Sequence, residues 1–308
     1  MKVWIAHEAG LPHLGELPGG VTVEIAANVE QLPSDPGDVR FWVPPFLAPS
    51  ETGALTAKMP ELRVVQLLSA GADAWVGRLA ERITLCDARG VHDSSTAEWV
   101  MTAMLSYLRE FPGFARAQAA RDWAYDRFAP TDELAGKRVL IVGAGSIGAA
   151  LAARLAPFEV ELTRVARTAR PAEGVHGVAE LPALLPAADI VVVIVPLTDE
   201  TRGLIGADFL AAMPDGALLV NAARGPVADT GALTAALATG RIGAALDVTD
   251  PEPLPADHPL WQLPNVLLTP HVAGSVRGLL PRAYRLVGAQ LRRFAAGEQL
   301  TNIVTNGY

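Results

Sequence analysis

Lys137-Arg138-Val139-Leu140-Ile141-Val142-Gly143-Ala144-Gly145-Ser146-Ile147-Gly148 is an apolar run that breaks into G-x-G-x-x-G and continues as Ala149-Ala150-Leu151-Ala152-Ala153-Arg154-Leu155. Residues 139–142 read as a buried strand, and 149–155, rich in the strongest helix former, read as a helix. Between them the three glycines permit a tight turn, close approach to a ligand and packing of helix on strand. The helix N-terminus presents N–H groups and the positive end of a dipole to a pyrophosphate. The glycine spacing alone is a weak signal. Set between a strand and a helix, it points to a dinucleotide site rather than a ligand-free βα turn.

Outward from this loop the same alternation covers the chain. Residues 3–6, 21–26, 41–43, 64–69 and 83–87 read as strands, with 51–58 and 79–82 as helical connectors. Downstream, 160–165, 189–195, 218–221, 243–246 and 266–268 read as strands separated by Ala/Leu-rich helical stretches. Such alternation predicts an α/β fold with parallel sheets and crossover helices. One long helix is expected over 94–111, with Ser94, Ser95 and Thr96 as candidate caps. A connecting arm containing Trp123 is expected over 112–135, and a closing helix over 277–294, broken near Pro281.

Composition narrows the class. The chain has 308 residues, half of them hydrophobic, which is enough for two cores. A net charge of −8 without any basic block argues against a nucleic-acid surface. Cys86 is the only cysteine, so no intrachain disulfide can form, which suits a reducing compartment. The N-terminus begins directly in a strand without a signal-peptide core, and the longest apolar run, 190–196, is too short to span a bilayer. A cytoplasmic protein with no membrane attachment is the expectation.

Several strand ends carry chemistry. Ser69-Ala70-Gly71-Ala72-Asp73 follows a buried strand; its small residues could turn backbone N–H groups toward a ligand, or Asp73 could cap a helix. Where a fold of this kind that prefers NAD places a carboxylate, about twenty residues past the glycines, this chain has Ala166-Arg167-Thr168-Ala169-Arg170. Arg167 and Arg170, joined by Arg164, suit a 2′-phosphate and hence NADPH; the alternative is a solvated basic turn. Thr198 and Thr201 could cap the following helix or touch a cofactor phosphate. Arg224, Glu252 and His271 follow three separate strands. An arginine to pair a carboxylate, a histidine to move a proton and a carboxylate to orient that histidine and favour its charged form make a coherent set.

The chain resembles the D-isomer-specific 2-hydroxyacid dehydrogenases over nearly its whole length. The resemblance rests on the glycine fingerprint, Val195-Pro196-Leu197-Thr198 with Glu200-Thr201, Asn221 through Gly225 with Asp229, Asp247-Val248 with Glu252-Pro253, and Pro264-Asn265-Val266 leading to Thr269-Pro270-His271. It implies that His271 donates the proton when a 2-keto acid is reduced. Glu252 keeps His271 protonated, and Arg224 clamps the substrate carboxylate. Ser69, Ala70 and Gly71 bind the substrate from the other domain, and Asp247 accepts from the nicotinamide amide. It further implies cofactor contacts at Gly143, Gly145, Ser146, Ile147, Gly148, Arg167, Thr168 and Arg170. Others are expected at Pro196, Thr201, Ala222 and His271, with no metal. Two doubly wound parallel-sheet domains follow. A Rossmann cofactor domain at 96–277 is inserted into a flavodoxin-like substrate domain made of 1–95 and 278–308, and the cleft between them would close on substrate. A homodimer through the cofactor domains is also implied.

The implied activity is reduction of glyoxylate, hydroxypyruvate or a related 2-keto acid with NADP(H), NAD(H) being possible. The Arg167 region departs from NAD-using members, and His92-Asp93-Ser94-Ser95 departs from the phosphoglycerate enzymes. Trp42, Phe46, Leu47 and Trp75 either favour a larger, apolar keto acid or simply pack. A dinucleotide-sensing binding protein on the same fold is the competing reading, and a methyltransferase leaves the later motifs unexplained.

Overall fold

The computed structural model describes residues 1–305, which fall into two units: Met1–His92 with the chain from Val276, and Asp93–Ser275. In the first unit β1 (Lys2–Ile5), β2 (Thr22–Ile25), β3 (Val39–Val43), β4 (Val64–Gln66) and β5 (Thr84–Cys86) form a parallel sheet in the order β2-β1-β3-β4-β5. This is the flavodoxin-like order. Alternate side chains serve opposite faces, as the period of a strand requires. Val3, Ile5, Phe41 and Val43 meet Tyr284, Val287 and Leu291 of the closing helix Leu279–Ala296. Trp4, Trp42 and Val65 bury against Met59, Leu62 and Trp75 on the other face.

The second unit carries β6 (Arg138–Val142), β7 (Glu161–Ala166), β8 (Val175–Gly177), β9 (Ile190–Val193), β10 (Leu218–Asn221), β11 (Gly243–Leu246) and β12 (Val266–Leu268). Their order is β12-β11-β10-β9-β6-β7-β8, all parallel. Counted from β6, this is the dinucleotide-fold order with one strand added, and its direction reverses between β6 and β9. Both faces are covered. Val139, Ile141, Val192 and Val220 pack with residues of the helices Asp93–Leu108 and Ser146–Leu155, while Leu140, Val142, Val191 and Leu219 pack on the opposite side. The expected α/β architecture of two parallel sheets is thus present.

Local readings differ in places. The helix expected to reach 111 ends at Leu108; Glu110 takes φ 55° and a new helix, Phe111–Ala119, starts with Pro112 in its first turn. Proline lacks an N–H to continue the first helix but fits the start of another. The first helix also begins at Asp93, so Ser94, Ser95 and Thr96 lie inside it and do not cap it. The arm at 112–135 is partly helical, with a further turn at Tyr125–Phe128. Residues 79–82 are irregular, ending in a turn at 81–82, rather than helical; Asp73 opens a run of turns, and 51–58 lie in a 3-10 helix, Ser50–Lys58. Pro281 does not break the closing helix, because it sits in the first turn, where no intrahelical N–H is needed. Trp42 and Trp75 are core, packed edge to face at 5.8 Å. Phe46 stacks on His92, and Leu47 is exposed. Among the described residues no helix is long and apolar enough to cross a membrane.

Candidate active site

Parallel strands bring their carboxyl ends to one edge of the second sheet, and the residues singled out in this unit follow those ends. After β6, Gly143 has φ +123°, and a Cβ there would stand 2.3 Å from the Ile194 carbonyl oxygen. A Cβ on Gly148 would stand 2.1 Å from the Gly143 carbonyl oxygen. Backbone approach therefore demands both glycines. Gly145 differs, because a Cβ there would meet nothing within 4 Å. The helix Ser146–Leu155 begins there with Gly145 as N-cap and no side-chain cap, so the N–H groups of Ser146, Ile147 and Gly148 lack intrahelical partners. An open approach to uncommitted helix N–H donors fits a dinucleotide pyrophosphate.

The arginines after β7 divide. Arg170 reaches the glycine loop, donating from Nη2 to the Ala144 carbonyl at 2.9 Å while its Nε pairs with Glu173 at 2.9 Å. Arg164 donates to the Glu173 carbonyl. Arg167 and Thr168 are exposed. After β9, Thr201 Oγ1 donates to the Pro196 carbonyl at 2.6 Å and accepts from the Thr198 N–H at 2.8 Å. These threonines fasten their own loop. The next helix, Ala207–Ala212, has Gly206 at its N-cap, so they do not cap it.

Arg224 is presented by a turn built from buried Asn221. Its Oδ1 accepts from the Ala223 N–H at 3.0 Å, and its Nδ2 donates to the Arg224 carbonyl at 3.3 Å, with Ala222 between. A Cβ on Gly225 would fall 1.8 Å from the Thr249 carbonyl oxygen, so this turn presses directly on the loop after β11. Thr230 Oγ1 donates to the Asp250 carbonyl at 2.7 Å and steadies the same loop. Glu252 at its end accepts from His271 Nδ1 at 2.7 Å. Burial alone would raise the Glu252 carboxyl. The hydrogen bond and charge of His271, a backbone hydrogen bond at Thr249 and the charge of Arg224 outweigh it and bring the carboxyl below its ordinary range. An ionised carboxylate only accepts, so His271 Nδ1 carries hydrogen and Nε2 is left for exchange.

His271 has φ 54°, a left-handed conformation uncommon for a side-chain-bearing residue. Asp247 over-determines it. Asp247's carbonyl accepts from the His271 N–H at 2.7 Å. Its carboxylate accepts from Thr269 Oγ1 at 2.6 Å, Val272 N–H at 2.8 Å and Ala273 N–H at 2.8 Å. The motif reading assigned Asp247 a ligand contact and missed this loop-setting role, as it missed Asn221 and Thr230. An Asn closing a strand and a Thr opening a helix are the signals that could have found the latter two, since both types bond nearby backbone. The structure therefore brings Arg224, Glu252 and His271 together. Ser69, in the first unit, donates from Oγ to the Gly71 carbonyl at 2.7 Å, folding the Ser69-Ala70-Gly71 turn on itself.

A family profile described as D-isomer specific 2-hydroxyacid dehydrogenase, NAD binding domain, matches residues 101–273. A glyoxylate/hydroxypyruvate reductase B of Citrobacter koseri is 40% identical over 243 residues, 75% of this chain and 74% of its own length. A D-isomer specific 2-hydroxyacid dehydrogenase of Xanthobacter autotrophicus Py2, solved with NADPH and MES, superposes with a TM-score of 0.85 at 36% identity, covering 100% of this chain and 99% of its own. An NADPH-dependent glyoxylate/hydroxypyruvate reductase of Sinorhizobium meliloti, solved with NADP and malonate, gives a TM-score of 0.83 at 28% identity, covering 99% of this chain and 97% of its own.

Proposed function

The chain belongs to the D-isomer specific 2-hydroxyacid dehydrogenase family, and from that premise we propose that it reduces small 2-keto acids, glyoxylate and hydroxypyruvate first among them, with NADPH. The observation that carries the reading is the 2.7 Å His271 Nδ1–Glu252 Oε1 hydrogen bond, in a loop that also lies against the Arg224 turn. Held by its pyrophosphate at the glycine loop, a reduced dinucleotide would supply a hydride from its nicotinamide. Arg224 pairs the substrate carboxylate through its planar guanidinium and polarises the keto oxygen. His271 gives the Nε2 proton to that oxygen, and Glu252 holds the ring in orientation and stabilises its charge. The relatives that share the reductase name, and those solved with NADPH or NADP, support the choice of substrate and cofactor.

The test is nicotinamide absorbance decay with NADPH and NADH in parallel against glyoxylate, hydroxypyruvate, pyruvate, phenylpyruvate and a branched 2-keto acid. Turnover of glyoxylate or hydroxypyruvate with NADPH is the expected result. Binding of cofactor without turnover of any acid would move the protein to the sensor reading. For cofactor choice, Arg167→Ala with Arg170→Ala is expected to raise KM for NADPH about 10- to 100-fold relative to NADH, the size of lost charge-assisted hydrogen bonds. The ratio is the readout, because Arg170 also braces the Ala144 carbonyl for either cofactor. An unchanged ratio removes the 2′-phosphate contact. A homodimer through the second unit is part of the same proposal. Phe111, Trp123 and Tyr125 support it, as large side chains that the arm leaves exposed.

A further inference from the structure

We infer that Asp93 is a positioning residue that restrains dinucleotide affinity: it holds the Ser146 hydroxyl and keeps a negative charge beside the start of the glycine-loop helix. The inference rests on the dinucleotide reading above and concerns how tightly that site binds.

The helices Asp93–Leu108 and Ser146–Leu155 pack along each other. At their shared end Ser146 Oγ donates to Asp93 Oδ1 at 2.9 Å, and both residues are half-buried. Asp93 opens its own helix and Ser146 opens the other. One carboxylate thus lies where two helix N-termini favour negative charge, and both dipoles stabilise it. It serves as an internal anion next to the donors that an anionic ligand would use. The nearby cation does not neutralise it. Arg154, on the glycine-loop helix, donates to Ser94 Oγ at 2.7 Å and approaches Glu98 at 3.5 Å, and among the described residues Asp93 enters no salt bridge.

Two consequences follow for a pyrophosphate arriving at Ser146. The Asp93 charge repels it, and the Ser146 hydroxyl must leave the carboxylate before it can serve the phosphate. Both work against binding; the repulsion vanishes when position 93 is neutral, and a neutral acceptor there holds the Ser146 hydroxyl less strongly than a carboxylate does. A neutral side chain at position 93 therefore tightens the site. The neighbouring carboxylate is otherwise engaged: Glu98 accepts from Ser94 Oγ at 2.9 Å, one turn further along the helix. This singles out Asp93 as the group that acts at the loop.

The experiment is calorimetric titration of unaltered protein, Asp93→Asn and Asp93→Ser with NADPH and with adenosine 2′-monophosphate, which carries the adenosine and the 2′-phosphate but no pyrophosphate. The serine variant is a second neutral side chain suited to a helix start, should the asparagine variant fold poorly. The expected result is an NADPH Kd about three- to tenfold lower in both variants, the scale of one unit charge near a partly screened surface. Adenosine 2′-monophosphate should bind unchanged, and the NADPH gain should shrink as salt is added. An unchanged or weaker NADPH Kd overturns the inference. So does an equal shift for both ligands, which is what a merely structural Asp93 would give. Should the 2′-phosphate contact itself prove absent, NADH and adenosine form the corresponding pair. If the unaltered protein binds no dinucleotide, the functional reading fails first and takes the inference with it.

Discussion

His271→Ala is expected to lower kcat for keto-acid reduction about 10²- to 10⁴-fold, the range of a lost general acid, while the NADPH Kd stays nearly constant. The ring nitrogen Nδ1 is committed to Glu252 at 2.7 Å, so Nε2 is the site that can give up a proton. Arg224 cannot replace it, because a guanidinium does not release its proton near neutral pH. Stopped-flow single-turnover decay of NADPH absorbance separates the chemical step from binding, and an unchanged rate would remove His271 from the proposed mechanism. The pair also has an acid limit. Because the folded-state Glu252 carboxyl is held below its ordinary range, its contribution to stability is complete above the ordinary glutamate pKa. That contribution is lost as pH falls through the lowered folded value. The Tm difference between unaltered protein and Glu252→Gln should therefore be largest near neutral pH and close at the acid end. The effect is modest, since the Glu252 side chain is 40% exposed. A difference independent of pH would show that the ion pair is not its source.

Gly148→Ala carries the second large effect. The added Cβ would stand 2.1 Å from a backbone oxygen, that of Gly143, and no side chain can swing aside to relieve it. The helix start must move off the strand, and the N–H donors move with it. Overpacking of this kind costs about 1–3 kcal/mol, a Tm loss of a few degrees in a chain of this size. Dinucleotide affinity should fall about 100-fold or more, since the donors are misplaced as a group. Gly145→Ala is the control. Its Cβ meets nothing within 4 Å, so that variant should keep its Tm and lose affinity only by crowding the ligand. Thermal melts and calorimetric titration read both quantities. If Gly148→Ala bound NADPH as tightly as the unaltered protein, the loop would not be the pyrophosphate cradle.

Much of the site is legible in the sequence, because its residues follow strand ends and strand ends are visible as the points where apolar runs stop. Val139 to Val142 followed by glycines, and Leu218 to Asn221 followed by Arg224, are legible in this way. Helix boundaries were less so. The stretch 94–111 reads as one helix by periodicity, yet Pro112 favours a fresh start and Glu110 turns the chain to let it happen. Side-chain commitments were least legible. Thr201 has the composition of a cap or a phosphate contact, and its hydroxyl goes to Pro196 in its own loop.

The amino-acid sequence by itself determined the glycine cradle, the alternation of strand and helix, and the three residue types suited to proton transfer, because each depends on local spacing and backbone chemistry. Tertiary structure alone decided which groups meet. Glu252 and His271 are 19 positions apart, and Asp93 and Ser146 are 53 apart. No local rule links them. The first pair forms because β11 and β12 are adjacent parallel strands whose ends open on the same edge. The second forms because two helices packed on one face of the sheet begin side by side. Hydrogen bonds at 2.7 and 2.9 Å need that placement to within a few tenths of an ångström. Only a packed core holds atoms that closely.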